Sequence, residues 1–512
     1  MTNARWVVRA SFCALLILGA MTYRSIGVPW DELHQRDFGR AVVDYVLGID
    51  QRLLTHNDRY YGPIFEIILN GAERVVGISD SRDIHLFRHA LTFLLFAGAC
   101  ASFYCLLRRA LPWTWALLGA FVFVMSPRIL AEAFYNTKDI ALLAAVVLSM
   151  HSLMRFLERP SYASALVHAL ACAFAGAIRL SGMLAVGITM LLLLDEAIQG
   201  RWERKAIYNV LRLTAVYLVA SLSLTVLFWP FLWTSPWVSF VEAVNQMGSF
   251  PWNQDVFYMG SYLKANMLPW HYLPVWIAIT IPLLHVIAVC VGVPVASIAV
   301  VRRWRSQGTK DPGGRRLDLV ALLWLLLPLV LVWVVQPVLY DGWRHFYFVY
   351  AALVLLAVRG LRAAWSFCDR RALTRAVLMA ITVALFLEPV LFLRRNYPFG
   401  WVYFSPIVGG IAGANGRFEL DYWGVSYRQG LEELLRREEG IVRVSFANES
   451  GDANVEILPA ADRRRIVVVS QQAAAYHLTE HRWHYGEPDP YAEAFSIRVD
   501  GVRILTAYHV RK

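Results

Sequence analysis

The chain has 512 residues, 58% of them hydrophobic against 17% charged, with 19 Trp, 23 Tyr and a mean hydropathy of +0.46. That balance marks a polytopic membrane protein and excludes an ordinary water-soluble domain. A net charge of +11 would suggest a nucleic-acid partner in a soluble chain, but here the cations fall in alternate loops between apolar stretches and report orientation in a membrane.

The first apolar run, 6–23, is long enough to cross a bilayer, since about 20 residues at 1.5 Å rise cover the hydrocarbon core. It has the basic start of a signal peptide, but no small-residue cleavage site follows, so it reads as an anchor. Further windows near spanning length recur at 90–107, 111–125, 140–157, 163–178, 180–194, 210–228, 275–300, 317–335, 346–357 and 372–391, for about eleven helices in all. Arg179 interrupts the run 163–194, where two short spans or a re-entrant pair fit equally well. Arg5 and Arg9, Arg108 and Arg109, Arg155 and Arg159, the group Arg201, Arg204 and Lys205, and the basic stretches 302–316 and 359–375 are cytoplasmic by the positive-inside rule. An odd number of spans then places the N-terminus inside and the C-terminus outside. The six cysteines, Cys13, Cys100, Cys105, Cys172, Cys290 and Cys368, lie in spans or cytoplasmic loops and offer no disulfide framework to the outer segments.

The expected outer segments are 24–89, 127–139, 229–272, 336–345 and the tail beyond Arg394. Asp31 and Glu32 follow the first span directly, where carboxylates are costly and tend to serve a function. Phe38, Val42, Tyr45 and Val46 share one helical face opposite Asp37, Arg40 and Asp44, which predicts an amphipathic interfacial helix. Tyr60, Tyr61, Gly62 and Pro63 break it, and Ile64, Ile68, Ala72 and Val75 resume an apolar stripe, so the loop is expected to lie on the membrane as a lid or a simple cover.

In the second loop Asn136 or Thr137 can cap the following helix, and Asp139 suits its positive end. Lys138 does not suit that end and needs an anionic partner. The third loop is rich in Trp and Tyr, from Trp229 to Tyr272, as an interfacial belt would be. The fourth, Tyr340, Asp341, Gly342, Trp343, Arg344 and His345, carries two cationic groups against the charge bias and is placed to meet an anion.

A carboxylate pair, a Lys and an Arg-His pair on one face suit transfer of a sugar from a polyprenyl phosphate. The cations would hold the phosphate, and a carboxylate would act as base toward an acceptor hydroxyl, with inversion in a single displacement. The order of a first-loop Asp-Glu, an Asn-x-Lys-Asp entering a helix, and a late aromatic-Asp-Gly-x-Arg-His between spans resembles the C-type membrane glycosyltransferases, in the branch of the protein O-mannosyltransferases and aminoarabinose transferases. The resemblance covers roughly 1–395, more in topology than in sequence. It implies an all-α polytopic bundle with amphipathic helices in the first outer loop, in a bacterial cytoplasmic (inner) membrane with the active site outside. It implies Asp31 as base with Glu32 beside it, a hexosyl- or pentosyltransferase activity, and donor-phosphate binding by Lys138, Arg344 and His345, supported by Tyr61, Asp139, Tyr340 and Asp341. Glu32 either orients the acceptor or caps the next helix. The third loop is too short for the extra module of eukaryotic protein mannosyltransferases, which points away from a protein acceptor.

The implied partners are an undecaprenyl or similar phosphate sugar, membrane lipid, and a glycan, glycolipid or protein acceptor. A transporter or flippase of lipid-linked sugars would use the same cations, although no internal repeat or inverted pair of broken helices is visible. A polymerase of lipid-linked polysaccharide would take a diphosphate donor.

The tail, 396–512, reads as a small extracytoplasmic α/β domain, with a helix over 427–437 and strands near 442–446, 465–470, 495–499 and 502–508. Its group from Phe418 to Trp423 suits docking on the bundle or stacking on a sugar. His477, His481 and His484, with Glu480, have helical spacing for a metal, but exposed histidines alone account for them. No cofactor is assigned, and a divalent cation is left open.

Overall fold

The structure, a computed structural model, describes residues 2–199, 204–248, 252, 254–305, 312–368, 371–482 and 491–510. The chain runs α1 (Thr2–Thr22), α2 (Glu32–Val46), α3 (Ile64–Val76), α4 (Ser81–Leu107), α5 (Trp113–Val124), α6 (Pro127–Tyr135), α7 (Asp139–Glu158), α8 (Tyr162–Gly176), α9 (Leu184–Ile198), α10 (Arg204–Phe228) and α11 (Pro236–Gly248). A hairpin of β1 (Asp255–Tyr258) and β2 (Ser261–Lys264) follows, then α12 (Tyr272–Thr280), α13 (Leu283–Arg305), α14 (Pro312–Val335), α15 (Tyr350–Phe367) and α16 (Ala372–Arg395). The tail holds α17 (Gly410–Ala414), α18 (Tyr427–Arg437), β3 (Val442–Phe446), α19 (Ser450–Glu456), α20 (Ala460–Arg463), β4 (Ile466–Val468), β5 (Tyr476–Thr479), β6 (Ala492–Val499) and β7 (Val502–His509).

Among the described residues, nine helical segments are long and apolar enough to cross a membrane. A tenth is counted if α5 and α6, bent by 69° at their junction, form one broken span. The expected windows fall on helix, but the windows 111–125 and 163–178 become α5 and α8, of 12 and 15 residues, too short to span alone. The expected count of about eleven spans thus becomes nine or ten among the described residues. Two differ from expectation in shape. The window 275–300 is broken into α12 and α13 at Ile281 and Pro282, because proline cannot continue the hydrogen-bond ladder. The interrupted run 163–194 becomes α8, a short turn at Leu180–Met183, and α9.

The first loop folds as α2 and α3, which pack on the end of α4. Helix α2 buries Phe38 and Val42 against Leu53, as its pattern predicts. On helix α3, Ile68 and Val75 of the apolar stripe are 45% and 89% exposed, whereas Ile64 at its start and Glu66, Asn70 and Glu73 on the opposite face are buried. An exposed apolar face suits a helix lying against lipid. The buried acids are satisfied from α4, where Arg88 donates to Glu32 Oε1 at 3.2 Å, Glu66 Oε2 at 2.7 Å and Glu73 Oε1 at 3.0 Å.

The tail forms a five-stranded sheet in the order β4-β3-β5-β7-β6, parallel across β4, β3 and β5 and antiparallel across β5, β7 and β6. Helix α18 lays Tyr427, Leu431 and Leu434 on it. The segment with His477 is strand, so the expected helical spacing of histidines does not exist. His477 bonds Ser445 and His481 bonds Thr506, while His484 lies outside the described residues. Among the described residues no cluster of three metal-ligating side chains occurs.

The expected outer loops and the tail all meet at one end of the bundle. Tyr60 donates to Glu242 at 2.7 Å, Trp252 stacks on Tyr340 at 4.0 Å, and Tyr258 bridges to Phe418.

Candidate active site

Asp31 sits at the N-cap position of α2, yet its side chain makes no capping hydrogen bond. Its carboxylate instead faces Arg344, with Nη1 at 3.6 Å. The backbone here is pinned to the tail, since the Trp30 amide donates to the Trp423 carbonyl at 3.2 Å. Glu32, one residue on, is directed into the protein, where His85 lies at 2.9 Å and Arg88 holds the same oxygen. Burial pushes the Glu32 carboxyl up, but His85 and His89 outweigh it and hold it well below the usual carboxylate range.

Arg344 is the hub of the site. Its Nη2 lies 2.9 Å from Asp341 and its Nη1 3.3 Å from Asp139, and it is packed among the rings of Trp423, Tyr340 and Trp30 at 4.6, 5.2 and 5.9 Å. Asp341 stands in a left-handed turn, φ +56°, followed by Gly342 at +67°, a conformation that Asp tolerates and that recurs where side chains must be aimed. Asp139 is shared: Arg179 lies 2.7 Å from its Oδ1, and Asn136 Nδ2 donates to its Oδ2 at 3.1 Å. The Asp139 amide donates to Asn136 Oδ1 at 2.8 Å, so Asn136 acts as a local cap.

Accessibility separates the acids. The Asp31 side chain is 15% exposed, against 1% for Asp139 and 0% for Asp341, so of these three only Asp31 offers an oxygen to an incoming group. Burial raises its carboxyl above the ordinary value of 3.8, partly offset by Arg344 and Lys138.

Lys138 turns away from helix α7 and places Nζ 3.8 Å from the ring centre of Tyr61. Among the described residues no carboxylate lies within the 4.0 Å of an ion pair with it. Burial lowers its ammonium from 10.5, opposed by Asp58. Tyr61 also lines a pocket of about 210 Å³, together with Arg179, Ser181, Tyr340 and His345. Burial moves the Tyr340 hydroxyl up to about 12. His345 stands edge-on to Tyr340, and its buried Nε2 has no hydrogen-bond partner among the described residues.

The structure thus brings together Asp31, Lys138, Asp139, Tyr340, Asp341, Arg344, His345 and Tyr61, and places Glu32 behind them. In the sequence Arg179 stands only as an interruption of an apolar run, its one signal a cation where a span should be. The aligning partner for that break is Gly62, where a Cβ would stand 2.1 Å from the Ala177 carbonyl carbon. The Ile64 amide donates to that same carbonyl at 3.1 Å. Arg482, from the tail, donates to Asp341 Oδ1 and was equally unforeseen.

No protein-family model and no curated protein matches the chain. Solved structures do. ArnT from Cupriavidus metallidurans in the apo state matches with a TM-score of 0.51 and 13% identity, over 100% of this chain and 99% of that one. ArnT bound to undecaprenyl phosphate gives 0.46 and 14% over 98% of each. The archaeal oligosaccharyltransferase AglB from Archaeoglobus fulgidus, in complex with an inhibitory peptide and a dolichol-phosphate, gives 0.46 and 10% over 99% of this chain and 75% of that one. At such identities the likeness is one of fold, and the end-to-end match to apo ArnT carries it. The chain has the fold of the C-type membrane glycosyltransferases.

Proposed function

We propose that this protein transfers a sugar from a polyprenyl phosphate to an acceptor hydroxyl, with Asp31 as general base and the pocket lined by Tyr61, the ring that Lys138 packs against, as the seat of the donor phosphate. The observation that carries this reading is the pairing of one reachable carboxylate with one cation that has no carboxylate in ion-pair range. Asp31 accepts the proton of the acceptor hydroxyl as that oxygen bonds to the anomeric carbon. The bond from that carbon to the phosphate oxygen breaks, and the electron pair leaves with the polyprenyl phosphate. Attack and departure on opposite sides invert the anomeric centre. Lys138 and Arg179 meet the growing charge on the phosphate, helped by a donor from His345.

Arg344 is committed to Asp31, Asp139 and Asp341, so we assign it to shaping the base and not to gripping the donor. Glu32 is a positioning residue, fixing the first turn of α2 on α4. The site lies on the extracytoplasmic face of a bacterial inner membrane, as the distribution of basic loops supports. The acceptor class is open between glycan and glycolipid.

The test is Asp31→Asn in purified full-length protein supplied with total membrane lipid as donor pool, with products read by mass spectrometry. A general base contributes about 10²–10⁴-fold, so transfer falls by that factor while undecaprenyl phosphate binding persists. Transfer at the unmodified rate would remove Asp31 from the chemistry.

A further inference from the structure

We propose that the C-terminal domain is part of the active site, with Arg482 acting as a positioning residue that holds Asp341 so that Arg344 stays on Asp31. The inference rests on the reading of Asp31 as base.

The geometry is a relay of alternating charges. Asp341 divides its two oxygens: Oδ1 accepts from Arg482 Nη2, and Oδ2 accepts from Arg344 Nε at 3.0 Å. Arg344 is left with Nη1 for Asp139 and Asp31. Guanidinium and carboxylate prefer a two-pronged pair. With Arg482 gone, Asp341 Oδ1 becomes available to Arg344, and the two close into that pair, which turns Nη1 away from Asp31. Arg482 prevents this by occupying Oδ1.

Arg482 is itself fixed from the tail. Its Nη1 donates to the Tyr422 carbonyl at 2.9 Å, Glu419 stands 3.8 Å away, and its side chain is 6% exposed. Trp423, adjacent to Tyr422, covers the Arg344 guanidinium. The tail therefore grips the relay from two sides.

Docking of the tail does not depend on this contact. Asn454 exchanges two hydrogen bonds of 2.8 Å with the backbone of Val28, Arg428 donates to the Ile26 carbonyl at 2.8 Å, Gln429 to Ser25 at 2.9 Å, and Arg463 pairs with Asp80 at 2.7 Å. A buried arginine spent on Asp341 adds little to such an interface, but it fixes the carboxylate that approaches Arg344 most closely of its three acidic partners.

The experiment uses the full-length protein in lipid nanodiscs and compares Arg482→Gln, Arg482→Lys and the unmodified chain. Four measurements are made: kcat and KM for transfer from the membrane-lipid donor pool, the pH profile of kcat, undecaprenyl phosphate binding, and protease resistance of the tail. The groups facing Asp31 are Arg344, Lys138, Asp139 and Asp341, and those facing Arg482 are Asp341, Glu419, Glu480 and Arg344. Losing Arg344 from Asp31 leaves the carboxylate less stabilised, so the acid limb moves to higher pH. Arg482→Gln is expected to lower kcat by at least about tenfold and shift that limb upward, with undecaprenyl phosphate binding and tail protection unchanged. Arg482→Lys, which keeps a charge but loses the fork, is expected to fall between. The inference is overturned if Arg482→Gln keeps the kcat and acid limb of the unmodified chain, or loses kcat only in proportion to lost tail protection. Should Arg482→Gln fail to fold, Arg482→Lys decides alone, and an unaltered pH profile overturns the inference. An active Asp31→Asn would instead refute the base assignment while leaving the Arg482 comparison readable.

Discussion

Arg88 ties the first-loop helices α2 and α3 to α4, and its removal tests whether they are held by charge or by apolar packing. It is fully buried, and it reaches one acid on α2 and two on α3 at 2.7–3.2 Å. Glu66 also accepts from Thr137 Oγ1 at 2.7 Å, so one network ties the neighbour of Asp31 to the neighbour of Lys138. Arg88→Met leaves Glu32, Glu66 and Glu73 buried with less positive charge among them. Breaking a buried pair by removing one partner costs about 3–5 kcal/mol. At 1.4 kcal/mol per decade that is roughly a hundred- to a few-thousandfold toward detachment of α2 and α3. Helix α4 is a span in its own right, so the cost falls on α2 and α3. Amide exchange in 32–46 and 64–76 should accelerate by that factor while the core of α7 stays protected, and transfer should fall with it. Changing Glu32, Glu66 and Glu73 to Gln together with Arg88→Met should recover most of the protection, because a neutral set is no longer short of a cation. Unaltered exchange in Arg88→Met, with the acids intact, would refute the claim that this network holds α2 and α3 on α4.

Lys138→Ala and Arg179→Gln should each weaken undecaprenyl phosphate binding by about 1–3 kcal/mol, the scale of a charge-assisted hydrogen bond, as read by titration; unchanged affinity in both would move the phosphate elsewhere. The acid limb of kcat/KM should lie above 3.8, because burial raises the Asp31 carboxyl and the base must be ionised, and the alkaline limb should lie below 10.5, because burial lowers the Lys138 ammonium. A profile flat down to pH 3.8 would contradict the first assignment. Gly62→Ala should loosen the first outer loop, since the new Cβ meets the Ala177 carbonyl at 2.1 Å; overpacking of this kind costs about 1–3 kcal/mol, measurable as protease cleavage within 56–63.

Much of the fold was legible because spans, basic loops and the tail helix are written in composition and in a period of 3.6 residues. Helix α18 occupies 427–437 as its pattern implies. What escaped was decided by distant partners. The apolar stripe on α3 reads as a membrane-lying surface, and Ile68 and Val75 are indeed exposed; what the sequence does not show is that Arg88 on α4 draws the acidic face of the same helix into the bundle. Strand β5 is four residues long and its His477 falls at helical spacing from His481, so nothing local marks it as the centre of a sheet. Arg179 meets Asp139, 40 positions earlier, and Arg482 meets Asp341 across the whole tail; a charge is visible in a sequence, whereas its counter-charge is a property of the fold.

The same distinction separates Asp31 from Glu32. As a pair in the sequence they are equivalent acids at a membrane edge. At the start of a helix successive side chains diverge by about 100°, so one that faces the cleft obliges the next to face the bundle. Glu32 meets His85 and Arg88 there and is held ionised out of reach. Asp31 is left at the cap with no capping bond, partly exposed, against a guanidinium already shared with two other acids. A carboxylate so weakly satisfied keeps its affinity for a proton, which is what a base needs. The residue that looks redundant in the sequence is the one that fixes the direction in which Asp31 faces.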